Sequence, residues 1–222
     1  MSTRGKNRSR SDRATLDQYG TPEWVARALV SLLPVENHHV ALEPHAGLGG
    51  FVAVLREKCA WVVGLDVDPV AKGLAKASEA HLLDFLDCPL STFSELGVDW
   101  VVGNPPFDQA QLHVERALRA SSQHVAFLLP LAFMESKGRV AFWEKHPARH
   151  VWVLASRLDF VRFGQSEYTL GCQQSLFGLA DADADADVED GGSGMNTPLA
   201  FYWWDKSWRG RTTVDPCVML TP

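Results

Sequence analysis

The chain has 222 residues, of which 46% are hydrophobic and 22% charged, and its formal net charge is −6. These values exclude collagen-like, wholly disordered and disulfide-scaffold proteins, and the length suits one full-sized domain rather than a large multidomain enzyme. No run nears the roughly 20 consecutive apolar residues of a membrane span. The basic N-terminus has no apolar stretch after it, so a cytoplasmic protein without membrane contact is expected. Cys59, Cys88, Cys172 and Cys217 are scattered and form no C-x-x-C pair, which predicts reduced thiols and no metal site.

Charge is unevenly spread along the chain. Residues 1–13 hold Arg4, Lys6, Arg8, Arg10 and Arg13 against Asp12, whereas residues 181–190 hold six acids in DADADADVED. Residues 1–16 are expected to form a disordered basic arm, which either stays a solvated tail or meets phosphates. Residues 17–222 then make a single domain, with a mobile acidic loop at 181–195 that is too polar to pack.

Thr21-Pro22-Glu23 marks a helix start, with a Thr that can cap, Pro at the first helical position and an acid in the first turn. Trp24, Val25, Ala28, Leu29, Leu32 and Leu33 keep a helical period until Pro34. Apolar runs at 39–43, 61–66, 98–104 and 124–130 then alternate with helical stretches near 50–58, 69–77, 108–121 and 132–145. Runs that are apolar throughout suit strands covered on both faces, so an α/β fold with a mostly parallel sheet is predicted. Beyond 150, three β-like runs (151–160, 173–180 and 199–205) with no long helix between them predict antiparallel strands at one end of the sheet. Trp203, Trp204 and Trp208 either cover the outer face of the last strand or form an exposed interaction patch.

Four motifs carry chemistry. EPHAGLGG (43–50) follows the first long strand and opens a helix; its glycines let the backbone approach a ligand, and Glu43 at the strand end attracts a cation such as an amino group or a sulfonium. VGLDVDP (63–69) puts Asp66 at the end of the second of these strands, where a ribose diol can be bound, while Asp68 before Pro69 suits a helix cap. In LLDFLD (82–87), Asp84 either accepts from an exocyclic amine or is a solvated loop acid. Asn104-Pro105-Pro106-Phe107 ends a further strand, at the sheet edge where open α/β folds bind ligands. The Asn104 amide oxygen and the Pro105 carbonyl offer two acceptors to one NH₂ group, Pro106 stiffens the turn, and Phe107 supplies a stacking face. Binding both hydrogens from one side favours a pyramidal nitrogen and localises its lone pair.

In this order, TPEWV, EPHAGLGG, VGLDVDP, LLDFLD and NPPF resemble the S-adenosylmethionine-dependent amino methyltransferases, specifically adenine-N6 DNA methyltransferases of compact phage type, over about residues 17–180. The resemblance implies a class I, Rossmann-like methyltransferase: a seven-stranded, mostly parallel sheet with antiparallel C-terminal strands and flanking helices. It implies that Tyr19, Thr21, Glu43, His45, Gly47, Asp66, Asp84 and Asn104 hold S-adenosylmethionine. Asn104, Pro105, Pro106 and Phe107 would carry catalysis, with Phe107 and Phe160 lining the pocket for a flipped adenine. Duplex DNA is the expected partner; RNA is the alternative, followed by a protein glutamine amide or a noncatalytic cofactor-binding module. His45 and Leu48 depart from the small residues usual in the glycine loop. A separate target-recognition domain is missing, so recognition falls to loops around 131–149 and 162–173, to the basic arm and rim residues Lys137, Arg139 and Arg162, or to a protein partner.

Overall fold

The computed structural model describes residues 19–155, 161–162 and 197–220. In chain order its main elements are β1 (Tyr19–Gly20), α1 (Glu23–Val30), β2 (Val40–Glu43), α2 (Gly50–Lys58), β3 (Trp61–Asp66), β4 (Glu79–Leu82), α3 (Leu90–Glu95), β5 (Trp100–Gly103), α4 (Ala110–Ala120), β6 (His124–Pro130), α5 (Val140–Lys145), β7 (His150–Leu154), β8 (Val161–Arg162), β9 (Leu199–Asp205) and β10 (Thr213–Val218). Eight strands form one sheet in the order β10-β7-β9-β6-β5-β2-β3-β4, and β1 pairs separately with β8. Only β9 runs against the rest, antiparallel to both β6 and β7.

The sheet is covered on both faces, as uniformly apolar strands require. Alternate side chains of β6 divide between two cores: Ala126 and Leu128 pack with Val25, Leu29, Val52 and Leu55 of α1 and α2, whereas Val125, Phe127 and Leu129 pack with Phe93, Val114 and Phe142 of α3, α4 and α5. Strand order reverses between β2 and β5, which are hydrogen-bonded neighbours through Ala41↔Trp100 and Leu42↔Val101. Their carboxyl ends, Glu43 and Gly103, therefore lie side by side at the switch point where α/β sheets bind ligands.

Several expectations need correction. The sheet has eight strands, not seven; the additional one, β10, carries Pro216 and pairs in parallel with β7 with a register shift between Asp215 and Val218. Pro is tolerated there because β10 is an edge strand and the shift interrupts the ladder. The run from 151 forms β7, which is parallel to the main sheet, so among the described residues β9 is the one antiparallel strand of the eight-stranded sheet; the 173–180 run lies outside the described residues. Trp203 and Trp204 do not cover an outer face, because β9 is inserted between β6 and β7 and the two indoles are buried on opposite sides of the sheet.

No helix forms over 69–77; a single 3-10 turn spans Leu74–Lys76. The Gly73 amide there donates to the Gly47 carbonyl at 2.8 Å, so this backbone supports the neighbouring loop instead of bonding along a helix axis. The 132–145 stretch likewise splits into 3-10 turns at Leu131–Met134 and Lys137–Arg139 before α5, the break falling where Ser136 accepts from the Gly138 amide. α1 ends at Val30, short of Pro34, in a turn closed by Leu32 and Leu33 amides on the carbonyls of Leu29 and Val30. Among the described residues no helix is long and apolar enough to cross a membrane.

Candidate active site

Every parallel strand from β2 to β5 ends at the same edge of the sheet, and each terminal loop brings one motif there. The β2–α2 loop is fixed from three directions. Asp66, at the end of β3, accepts from the Gly47 amide at 2.8 Å through Oδ2 and from the Asp68 amide at 2.8 Å through Oδ1. Gly73 braces the loop from the other side, and a Cβ there would lie 2.2 Å from the Ala46 carbonyl oxygen. Gly49 closes the loop with φ of 82°, in the left-handed region that glycine occupies without penalty. Asp66 thus holds the loop as well as standing at the strand end, and its shielding from water pushes its carboxyl upward despite these bonds. Asp68 caps a turn, through the Val70 amide, rather than a helix.

Glu43 is 2% exposed. Its Oε1 accepts from the His45 amide at 3.0 Å, and burial drives its carboxyl well above the ordinary range. Room for this carboxylate comes from Gly103 on β5, where a Cβ would stand 2.2 Å from Glu43 Oε1. The glycine before the NPPF motif is therefore part of the same site. No basic side chain forms an ion pair with Glu43 among the described residues, so the buried acid carries an unrelieved desolvation cost.

Thr21, 7% exposed, does not cap α1; Pro22 takes the cap position. Its hydroxyl instead accepts from Asn104 Nδ2 at 3.3 Å, joining segments 83 residues apart. Its carbonyl approaches Gly50 so closely that a Cβ there would sit 2.1 Å away. Asn104 follows β5, Pro105 is buried, Pro106 is half-buried, and Phe107 opens a 3-10 turn and packs partly against both cores. A small cavity of about 30 Å³ joins Thr21, Glu43, His45, Gly47 and Asn104. Leu48 lines it and leans on the Gly20 backbone, where a Cβ would meet Leu48 Cδ1 at 2.3 Å.

His45 does more than line the cavity. Its Nε2 lies 3.0 Å from Nδ1 of His113 on α4, and its ring meets those of Phe85 and Phe127 at steep angles. Burial pulls both histidines down, His113 to about 4, so the pair shares one hydrogen bond between two neutral rings. Nothing in the sequence separates His113 from core filler, since it sits on the buried face of a helix among Ala110, Val114 and Ala117. Asp84 is exposed on the loop after β4, its Oδ1 accepting from the Leu86 amide at 2.8 Å.

Tyr19 enters through its backbone, in register with Arg162 of β8. Phe160 lies outside the described residues. Among the expected rim cations, Lys137 is exposed, while Arg139 donates to the carbonyls of Ala132 and Phe133 and stacks on the Phe133 ring, so it stabilises its own loop.

No protein-family model and no curated protein matches the chain. Solved structures do match in fold. A modification subunit assigned to a type I restriction enzyme from Vibrio vulnificus YJ016 aligns at 16% identity and a TM-score of 0.57, over 91% of this chain but 47% of that one. A protein assigned as an RNA methyltransferase from Pyrococcus horikoshii aligns at 17% identity and 0.56, over 90% of this chain and 91% of that one. One assigned as an O-methyltransferase from Agrobacterium tumefaciens aligns at 14% identity and 0.53, over 87% and 86%. The chain has the Rossmann-like α/β fold of these methyltransferases.

Proposed function

We propose that the protein is an S-adenosylmethionine-dependent N-methyltransferase that modifies the N6 amino group of adenine in DNA, with the base flipped into the NPPF site. The observation that carries this is the placement of Asn104-Pro105-Pro106-Phe107 at the switch point, one strand from buried Glu43 and tied to Thr21. The residues suit the cofactor: a buried carboxylate with no cationic side chain beside it favours a ligand bearing an amino group or sulfonium, and the glycine loop at the head of α2 lets the ligand's chain lie close to backbone. When bound, S-adenosylmethionine supplies an electrophilic methyl group.

Thr21 and Glu43 would hold its amino-acid part together with the 45–49 loop, Asp66 the ribose through lone pairs left by its two backbone bonds, and Asp84 the base. Asn104 Oδ1 and the Pro105 carbonyl would accept both hydrogens of the target amine. The bond from Asn104 Nδ2 to the Thr21 hydroxyl supports this by restricting how the amide turns. Phe107 would stack on the flipped base, whose extraction costs a few kcal/mol.

An RNA base is the second reading, favoured by the similarity to the Pyrococcus horikoshii protein over nearly the whole of both chains. Incubation with methyl-labelled S-adenosylmethionine and separate pools of DNA, RNA and protein tests the choice. Label in DNA, recovered as N6-methyladenine, is expected. Label confined to RNA or protein would overturn the DNA assignment.

A further inference from the structure

α4 begins directly after the Phe107–Gln109 turn, yet two residues on one of its faces reach away from the NPPF motif, to the other strand-end loops. His113 contacts the glycine loop through His45 and lies flat against Phe85, ring centroids 6.1 Å apart and planes at 13°. One turn on, Arg116 donates through Nε to the Phe85 carbonyl at 2.6 Å and through Nη2 to the Cys88 carbonyl, with its guanidinium over the Phe85 ring at 5.7 Å. The same loop carries Asp84, the residue immediately before Phe85. It is closed internally by the Asp87 and Cys88 amides on the Asp84 carbonyl and by the Leu86 amide on Asp84 Oδ1. As a unit it is fastened to α4 by the Phe85 ring and the Arg116 fork.

We propose that Arg116 is a positioning residue for recognition of the cofactor's base: by bridging the Phe85 and Cys88 carbonyls it fixes the 82–88 loop so that Asp84 presents its carboxylate to an exocyclic amine. This rests on the assignment of Asp84 to the base under the proposed function. The residue type fits the task, since a planar guanidinium spans two diverging acceptors where an ammonium makes a single point contact. The buried Phe85 anchors the loop's position, and the fork sets its angle.

Two product-like ligands read this directly. S-adenosylhomocysteine offers a 6-amino group to Asp84, whereas S-inosylhomocysteine offers a 6-oxo group that the carboxylate repels. The native protein should prefer the adenosyl ligand by more than about tenfold, and Asp84→Ala should bring the two affinities close together. Arg116→Met keeps an unbranched side chain and loses both donors. It should lower the preference at least about threefold while changing inosyl affinity less than about twofold, and Arg116→Lys should fall between.

A folded Arg116→Met protein with the native preference, or with equal loss for both ligands, would reduce Arg116 to a structural tie and overturn the proposal. If Asp84→Ala keeps the native preference, the Asp84 assignment itself fails and the proposal falls with it. Melting curves identify variants that do not fold, and should Arg116→Met be one of them, Arg116→Lys carries the test: a native preference in it overturns the proposal.

Discussion

Under the proposed function, Glu43 joins stability to cofactor binding in one residue. A carboxylate excluded from water, with one backbone donor and no ion-pair partner among the described residues, destabilises the ligand-free fold when ionised. Its folded-state pKa lies above the unfolded value near 4.5, so the folded protein binds its proton more tightly. This group's stabilising contribution is therefore complete below about pH 4.5 and is lost as pH rises toward the folded pKa. Glu43→Gln keeps the acceptor for the His45 amide and removes the charge. It should melt higher than the native protein at pH 8, with the gain shrinking as pH falls toward 4. The same variant should bind S-adenosylmethionine more than about tenfold more weakly, because a buried charged hydrogen bond is lost. Melting curves across pH and calorimetric titration measure both; a variant less stable than native at pH 8 would contradict the account of Glu43.

At the scale of elements, the strand-end loops work because glycines let backbones touch. Gly73→Ala places a Cβ 2.2 Å from the Ala46 carbonyl, a backbone atom that cannot move without carrying the glycine loop with it. A loss of about 1–3 kcal/mol is expected, together with weaker cofactor binding. Gly97 offers the contrast, with φ of 65° and nothing within 4 Å, so Gly97→Ala should cost about 1–2 kcal/mol in backbone strain alone and leave cofactor binding intact. Chemical denaturation and calorimetry separate the two, and equal binding by both variants would remove Gly73 from the site.

These elements also mark what the sequence could reveal. β3 and β6 match their apolar runs residue for residue, because a strand covered on both faces is apolar throughout. Asp68-Pro69 reads as a helix start for the 69–77 segment, but Gly73 is committed to a contact with Gly47, which no local pattern records. β10 was hidden by Asp215 and Pro216, which only an edge position with a register shift tolerates. Of the site, the motifs at strand ends were legible because each is short and contiguous. The Thr21–Asn104 bond, the Gly103 clearance for Glu43 and the contacts of His113 and Arg116 were not, since each depends on residues brought together by the strand order.

At the scale of the whole molecule, the proposed DNA substrate is a polyanion, and the chain's densest cationic segment is residues 1–13, with five basic residues against one acid. Removing that segment should weaken DNA binding to a similar degree across sequences and make the dependence of log affinity on log salt shallower. Fluorescence anisotropy over a salt series measures this; an unchanged slope would exclude the arm from the interface.

The central claim is that Asn104 activates a planar amine held next to the cofactor site. It is tested most directly by quantifying N6-methyladenine in DNA treated with the native protein and with Asn104→Ala, each with its cofactor affinity measured. The account predicts N6-methyladenine from the native protein, a loss of at least about a hundredfold in the variant, and cofactor affinity largely intact, as follows when an interaction is made mainly with the reacting group. Comparable methylation by the two proteins would contradict it.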